Sequence, residues 1–199
     1  MISIYNLKPK FQQLLRPILD KLHAIHISAN QITLASVALS FIIGAFFWFA
    51  DIHRIYLLAL PIGLLIRMAL NALDGMMARV YDQQSQKGEI LNEIGDVISD
   101  VAIFFPLLKF ESNSIYIIVT FICLSILNEF AGIMAKVISG DRRYDGPMGK
   151  SDRAFLISIY GLLSYFWMGF TPYGSYLFLI AIPLLILSTY TRLSKSLNH

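Results

Sequence analysis

Apolar residues run along this chain in six long stretches, near 31–50, 56–80, 88–109, 114–137, 152–170 and 173–191, joined by short polar connectors. Each is close to the roughly 20 residues that an α-helix needs to cross the hydrocarbon core of a bilayer. The pattern predicts an all-α polytopic membrane protein with six transmembrane helices. Pro61 and Pro106 fall within the second and third stretches and predict kinks there. Ahead of the first stretch the period changes. Lys8, Lys10, Arg16 and Lys21 are interleaved with Leu7, Phe11, Leu14, Leu15, Ile18 and Leu22. That spacing predicts an amphipathic helix lying on an anionic membrane face. Residues 1–28 are therefore expected to form a juxtamembrane surface helix, and residues 29–199 one six-helix membrane domain. No cleavable signal peptide is expected.

Composition strengthens this reading. Of 199 residues, 56% are hydrophobic and only 15% charged, too apolar for a soluble domain of this size. The formal net charge is only +3, so its distribution is more informative than its sum. Lys and Arg concentrate in the N-terminal arm, the 81–87 loop, the 138–153 loop and the C-terminal tail. By the positive-inside rule both termini face the cytoplasm. The single cysteine, Cys123, lies in an apolar run and excludes a disulfide framework. No nucleic-acid partner is expected.

Against this apolar background, one polar constellation stands out. Arg67, Asn71, Asp74 and Ala78 share a stripe of the second predicted span, at about 100° per residue. Glu89, Asn92, Asp96 and Asp100 share a stripe of the third, with Glu93 at its margin. A short connector makes the two spans antiparallel neighbours, so the stripes are able to face each other. An ionised side chain in a bilayer core costs ~3 to more than 10 kcal/mol, so these groups require neutralisation. Facing carboxylate and amide oxygens make a hard-oxygen site suited to Mg²⁺, Mn²⁺ or Ca²⁺. Structural ion pairing with Arg67 and Arg79 is the simpler alternative; so many acids on two stripes favour a cation site.

The block Asp74, Gly75, Ala78, Arg79, the eight-residue spacer, Gly88 and Asp96 resemble the signature of the CDP-alcohol phosphotransferase family, D-x-x-D-G-x-x-A-R followed by G-x-x-x-D-x-x-x-D. Upstream, Ala29, Asn30 and Thr33 resemble its P-N-x-x-T element, with Ala29 in place of Pro. The likeness extends to the six-span layout with an N-terminal surface helix. It implies that Asn30, Thr33, Gly75, Ala78, Arg79 and Gly88 contact a CDP-linked lipid, with CDP-diacylglycerol the expected donor. In the family the first three acids hold two divalent metals and the fourth is the base. Carried over, that implies Asn71, Asp74, Asn92 and Asp96 at a site for one or two Mg²⁺ or Mn²⁺ ions, with Asp96 as catalytic base. It also implies a homodimer in the inner, cytoplasmic membrane with its active site on the cytoplasmic side.

Two departures matter. Asn71 and Asn92 stand where the family has acids. An amide ligates through its oxygen but brings no charge. Two alternatives follow: Glu89, Glu93 or Asp100 compensates, or Arg67 sits beside a weakened or single-metal site.

The loop between the fourth and fifth spans carries Arg142, Arg143, Lys150 and Arg153. Membrane anchoring at the headgroups explains about half of these cations. The remainder point to a phosphate on the acceptor, since family members with phosphorylated acceptors bind that phosphate through basic residues in this region. Glu129 and Asn128, polar at membrane depth, line the same cavity or bond across helices. The expectation is an integral-membrane phosphotransferase that moves a phosphatidyl group from CDP-diacylglycerol to a small polar, phosphorylated alcohol, glycerol 3-phosphate being favoured, with release of CMP. A catalytically weakened lipid-binding scaffold and a cation transporter are the alternatives.

Overall fold

The computed structural model of the chain describes residues 8–170 and 173–197, with side chains from Lys10 onward. The expected start of the surface helix, Met1 to Leu7, lies outside the described residues. So do Thr171 and Pro172 of the last interhelical turn, and Asn198 and His199. Among the described residues, eight α-helices follow one another: α1 (Lys8–Ala24), α2 (Ala29–Trp48), α3 (Ala59–Val80), α4 (Gln86–Phe104), α5 (Leu107–Phe110), α6 (Ile115–Ser139), α7 (Lys150–Phe166) and α8 (Gly174–Leu197). The described residues contain no strand.

Among the described residues, four helical segments are long and apolar enough to cross a membrane: Ala29–Trp48, Arg54–Val80, Ser112–Ser139 and Gly174–Leu197. α4 is not among them, because Lys87, Glu89, Glu93, Asp96 and Asp100 interrupt its apolar surface. α7 has only 17 residues and opens on Lys150, Asp152 and Arg153. Pro61 and Pro106 act at helix ends, whereas Pro17 and Pro183 lie inside α1 and α8. Pro61 lies in the first turn of α3, where its missing N–H costs no helical bond. Pro106 is the N-cap of α5, just after α4 has ended at Phe104.

The chain divides into two compact units, Met1–Ile103 and Phe104–His199. In the first, the face of α1 bearing Leu15 and Leu19 is buried against Ala29 and Ile32 of α2 and Leu73, Met76 and Met77 of α3. Lys10, Arg16 and Lys21 of α1 remain exposed. The end of α1 is fastened to the end of α3. The His23 and Tyr81 rings stack with centroids 3.6 Å apart, and the Tyr81 hydroxyl donates to Asp20 at 2.8 Å.

A second seam joins α2 to α4. A Cβ on Gly88 would meet Asn30, one on Gly95 would meet Val37, and one on Gly44 would collide with the Ala102 carbonyl oxygen. These contacts pair residues 30, 37 and 44 of α2 with 88, 95 and 102 of α4. Steps of seven residues in the same sense on both helices mean that α2 and α4 run parallel, with small residues permitting close approach.

The second unit has an aromatic centre. Phe121 of α6 lies 5.2 Å from Phe104 and 5.0 Å from Phe178 of α8, and Tyr160 of α7 lies 5.5 Å from Phe178, ring centre to ring centre. Beside it, Glu111 in the turn after α5 is buried and accepts a hydrogen bond from the Tyr160 hydroxyl at 2.9 Å. Gly174 makes room for this pair, since a Cβ there would overlap the Glu111 carboxylate.

Burial raises the pKa of Glu111 above its ordinary value, with the hydrogen bonds from Tyr160 and the Ser175 backbone opposing. The folded chain therefore holds this proton more tightly than the unfolded chain. Its contribution to stability is complete below the unfolded carboxylate value of 4.5 and is lost as pH rises through the elevated folded value. Thermal unfolding of the detergent-solubilised protein should show a midpoint that falls as pH rises from 4.5, less so in Glu111→Gln. Identical pH profiles for the two proteins would contradict this assignment.

Candidate active site

The polar stripe of α3 is met by hydroxyls from α2. The start of α2 is fixed by a capping box, in which the Ser28 side chain accepts from the Gln31 amide and the Gln31 side chain accepts from the Ser28 N–H. The Ala29 N–H donates to the Gln83 side chain in the α3–α4 connector at 2.8 Å. Thus anchored, α2 presents Thr33, Ser36 and Ser40 on one buried face. Thr33 Oγ1 donates to Asp74 Oδ2 at 3.0 Å, and Ser36 Oγ donates to Asn71 Oδ1 at 2.7 Å. The Asn30 side chain lies against Gly88, the first glycine of α4. Asn30, Thr33, Asn71, Asp74 and Gly88, distant in sequence, are thus gathered around the start of α2.

On α3, a Cβ at Gly75 would stand 3.3 Å from both terminal nitrogens of Arg79. The glycine lets the arginine fold back along its own helix, one turn away. One turn deeper than Asn71, Arg67 is buried and its Nη1 donates to Asp100 Oδ1 at 2.8 Å. Its Nη2 approaches the Asp96 carbonyl oxygen at 3.5 Å. Asp100 is therefore engaged by an arginine, while Asp74 and Asp96 are buried on the two stripes. Asn92 is half-buried one turn before Asp96, and Glu89 is exposed.

The donor set fits a hard divalent ion in its chemistry: two carboxylates, Asp74 and Asp96, with the amide oxygens of Asn71 and Asn92 nearby in sequence register. It is poorer in charge than a four-acid set. Among the described residues, no three His, Cys, Asp or Glu side chains converge to hold an ion.

In the second unit the basic loop forms a buried network that sequence spacing does not reveal. Glu129 of α6 accepts from Arg142 Nη2 at 2.7 Å and from Arg153 Nη2 at 2.6 Å. Arg153 also donates to the Met148 carbonyl at 3.1 Å. Arg142 lies over the Tyr144 ring, 4.9 Å from its centre. Arg192 of α8, absent from the sequence reading, donates from Nη1 to the Asn128 carbonyl at 2.6 Å and from Nε to the Asp145 carbonyl at 3.3 Å. Gly132 leaves the space these groups need, because a Cβ there would stand 2.9 Å from the Arg143 carbonyl and 3.3 Å from Arg192 Nη1. Arg143 and Lys150 are half-buried at the two ends of this loop. Lys195 closes the network at the surface, donating to Asp145 at 2.5 Å and holding that carboxyl below its ordinary range. The signal for Arg192 was a lone charge on the apolar period of the last helix, four residues after Ser188, easily read as part of a basic tail.

Comparison with known proteins adds three findings. The family model for CDP-alcohol phosphatidyltransferase matches residues 26–195. The inner membrane protein YnbA of Escherichia coli (strain K12) is 46% identical over 192 residues, 96% of this chain and 94% of that protein. The fold is similar to that of Mycobacterium tuberculosis phosphatidylinositol phosphate synthase (PgsA1). The crystal structure of that protein with CDP-DAG bound matches with a TM-score of 0.76 at 19% identity, covering 92% of this chain and 94% of that one. Its complex with manganese and citrate matches with a TM-score of 0.75 at 19% identity, over 90% and 87% of the two chains.

The Arg67–Asp100 pair has a measurable signature. Removing either partner strands a charge in a buried setting and should cost about 3–5 kcal/mol, whereas removing both should cost far less. Arg67→Met and Asp100→Asn should each lower the thermal unfolding midpoint, and the double variant should recover most of the loss. Additive losses in that cycle would show that the two groups do not act as a pair.

Proposed function

The chain belongs to the CDP-alcohol phosphatidyltransferase family, and we propose that it transfers a phosphatidyl group from CDP-diacylglycerol to a small phosphorylated alcohol, glycerol 3-phosphate being favoured, and releases CMP. The observation that carries this reading is the Thr33–Asp74 hydrogen bond at 3.0 Å. It ties the upstream element of the family pattern to its acidic block inside one buried polar site. CDP-diacylglycerol as donor is also supported by its presence in the PgsA1 structure with the similar fold.

In this reading the diphosphate of the donor lies against α3 and the start of α4. Gly75, Ala78 and Gly88 leave room for it, Asn30 and Thr33 border it from α2, and Arg79 offsets its charge. Asp74, Asp96 and the amide oxygens of Asn71 and Asn92 would hold a divalent cation, Mg²⁺ or Mn²⁺. When bound, the cation stabilises negative charge on the phosphates, usually the largest contribution to phosphoryl transfer. Asp96 accepts the proton of the acceptor hydroxyl. The acceptor oxygen bonds to the lipid-side phosphorus as the bond to CMP breaks, and CMP leaves with the electron pair.

The acceptor's phosphate is assigned to the basic network of Arg142, Arg143, Lys150 and Arg153, and Arg192 is proposed to join it. Arg142 and Arg153 share the Glu129 carboxylate, and Arg192 lies on the backbone beside it. Such a guanidinium cluster suits a phosphate monoester, which accepts several charge-assisted hydrogen bonds at once.

In this reading α4 and α7 complete six spans, and α1 lies on the membrane surface. Both termini and the site face the cytoplasm, in the inner membrane named for YnbA. A homodimer is proposed from the family resemblance. Asn71 and Asn92 favour one other reading, a scaffold that binds CDP-diacylglycerol without turning it over.

CMP release from CDP-diacylglycerol, measured across a panel of alcohols, separates the two readings. The phosphotransferase should release CMP with an anionic alcohol, and Asp74→Ala should abolish that release while the thermal midpoint changes little. A folded Asp74→Ala protein with undiminished turnover would remove Asp74 from the site. Charge-assisted hydrogen bonds are worth about 1.5–3 kcal/mol each, so Arg153→Ala should raise the acceptor KM roughly tenfold or more. The KM for CDP-diacylglycerol should barely move. A preferred acceptor without an anionic group would contradict the phosphate assignment, as would an Arg153→Ala defect confined to the lipid donor.

A further inference from the structure

Glu129 places a negative charge inside the cluster assigned to the acceptor's phosphate. Each of its oxygens accepts from a different guanidinium, Oε2 from Arg142 at 2.7 Å and Oε1 from Arg153 at 2.6 Å. The residue before it, Asn128, holds a third. Its carbonyl accepts from Arg192 Nη1 at 2.6 Å, and its side-chain oxygen lies 3.5 Å from Arg153 Nη1. One turn on, Gly132 lets Arg142 and Arg192 approach each other, since a Cβ there would stand 3.7 Å from Arg142 Nε and 3.3 Å from Arg192 Nη1. Guanidiniums from the loop, α7 and α8 thus meet the Glu129 carboxylate at one turn of α6.

Arg192 has no acid of its own. It is 2% exposed, its hydrogen bonds go to the Asn128 and Asp145 carbonyls, and it forms no ion pair among the described residues. The carboxylate of Asp145 is taken by Lys195, and that of Asp152 accepts the Gly149 N–H at 3.2 Å. A buried guanidinium held only by neutral carbonyls suits the arrival of an anion. The same anion also meets Glu129, and like charges this close repel strongly where water is scarce.

We propose that Glu129 is a resident counter-anion that sets how tightly the acceptor is held: it positions Arg142 and Arg153, and it repels the phosphate they bind. This inference rests on the assignment of the acceptor's phosphate to this network. The product keeps that phosphate, so a cluster without Glu129 would retain product as firmly as substrate. Holding both more tightly does not speed the reaction. Glu129 is therefore a positioning and affinity-setting residue, not a catalytic one.

The test separates charge from structure by sign and needs no turnover. Binding of two probes to the full chain in detergent is measured by isothermal titration calorimetry at about pH 8, well above the second phosphate pKa of about 6. Methyl phosphate is then a dianion and dimethyl phosphate a monoanion. Glu129→Gln should lower the dissociation constant for methyl phosphate about tenfold and that for dimethyl phosphate only about threefold, because Coulomb energy scales with the charge of the ligand. In an Arg142→Met background, where losing the carboxylate strands less charge, Glu129→Gln should tighten methyl phosphate binding again. That comparison decides the matter if the single variant fails to fold. In turnover, the acceptor KM and kcat of Glu129→Gln should fall together, whereas a purely structural role would raise KM. Weaker or unchanged methyl phosphate binding in folded Glu129→Gln protein would overturn the inference and leave the proposed function standing. Failure of both wild-type and Glu129→Gln protein to bind methyl phosphate would overturn the phosphate assignment and this inference with it.

Discussion

A charge in hydrocarbon must be neutralised where it sits, and that constraint organises the first unit. Moving an ionised side chain to the middle of a bilayer costs ~3 to more than 10 kcal/mol. Arg67 and Asp100 meet that cost by pairing at 2.8 Å, both almost fully buried. One turn nearer the helix ends, the polar groups of α3 meet hydroxyls of α2. Asp74 accepts from Thr33, and the amide of Asn71 from Ser36. The pair lies one turn beneath the hydroxyl contacts to Asn71 and Asp74, although Arg67 Nε meets no hydrogen-bond partner among the described residues.

α2 makes this possible although it carries no charge. Its buried hydroxyls are partly satisfied within the helix, Thr33 on the Ala29 carbonyl and Ser40 on the Ser36 carbonyl, so they occupy an apolar span at little cost. On a neighbouring face, the contacts of Asn30, Val37 and Gly44 with Gly88, Gly95 and Ala102 hold α4 parallel and close. A larger residue at Gly44 would push against the Ala102 carbonyl and move α4 relative to α2, and with it Asp96. Packing of small residues therefore sets α4 against α2, and the Arg67–Asp100 bond joins α4 to α3.

Much of this was legible in the sequence because two periodicities coincide with chemistry. The step from Arg67 to Asn71, Asp74 and Ala78 is a helical stripe, and the spacing of Gly75, Ala78, Arg79, Gly88 and Asp96 is specific enough to identify the family on its own. The hydropathy pattern located α2, α3, α6 and α8 within a few residues. What it could not supply depends on contacts between elements. Ser36 looked like one of several small polar residues in an apolar helix, and only the packing of α2 on α3 brings it to Asn71. Arg192 was hidden in a basic C-terminal segment, and its role depends on α6 and α8 placing it against Asn128. The charges of α4 that reveal the chemistry also reduce its hydropathy, so the helix richest in site residues is the one that composition alone describes least well as a span.

The central claim is that an acceptor hydroxyl attacks the lipid-side phosphorus of CDP-diacylglycerol. Oxygen tracing tests it directly. Purified protein is supplied with CDP-diacylglycerol, a divalent cation and glycerol 3-phosphate carrying ¹⁸O in its primary hydroxyl, and both products are analysed by mass spectrometry. The account predicts that the label is retained in the phospholipid, in the new phosphodiester bridge, and that the released CMP is unlabelled. Label in CMP, or no CMP release with any anionic alcohol, would contradict it.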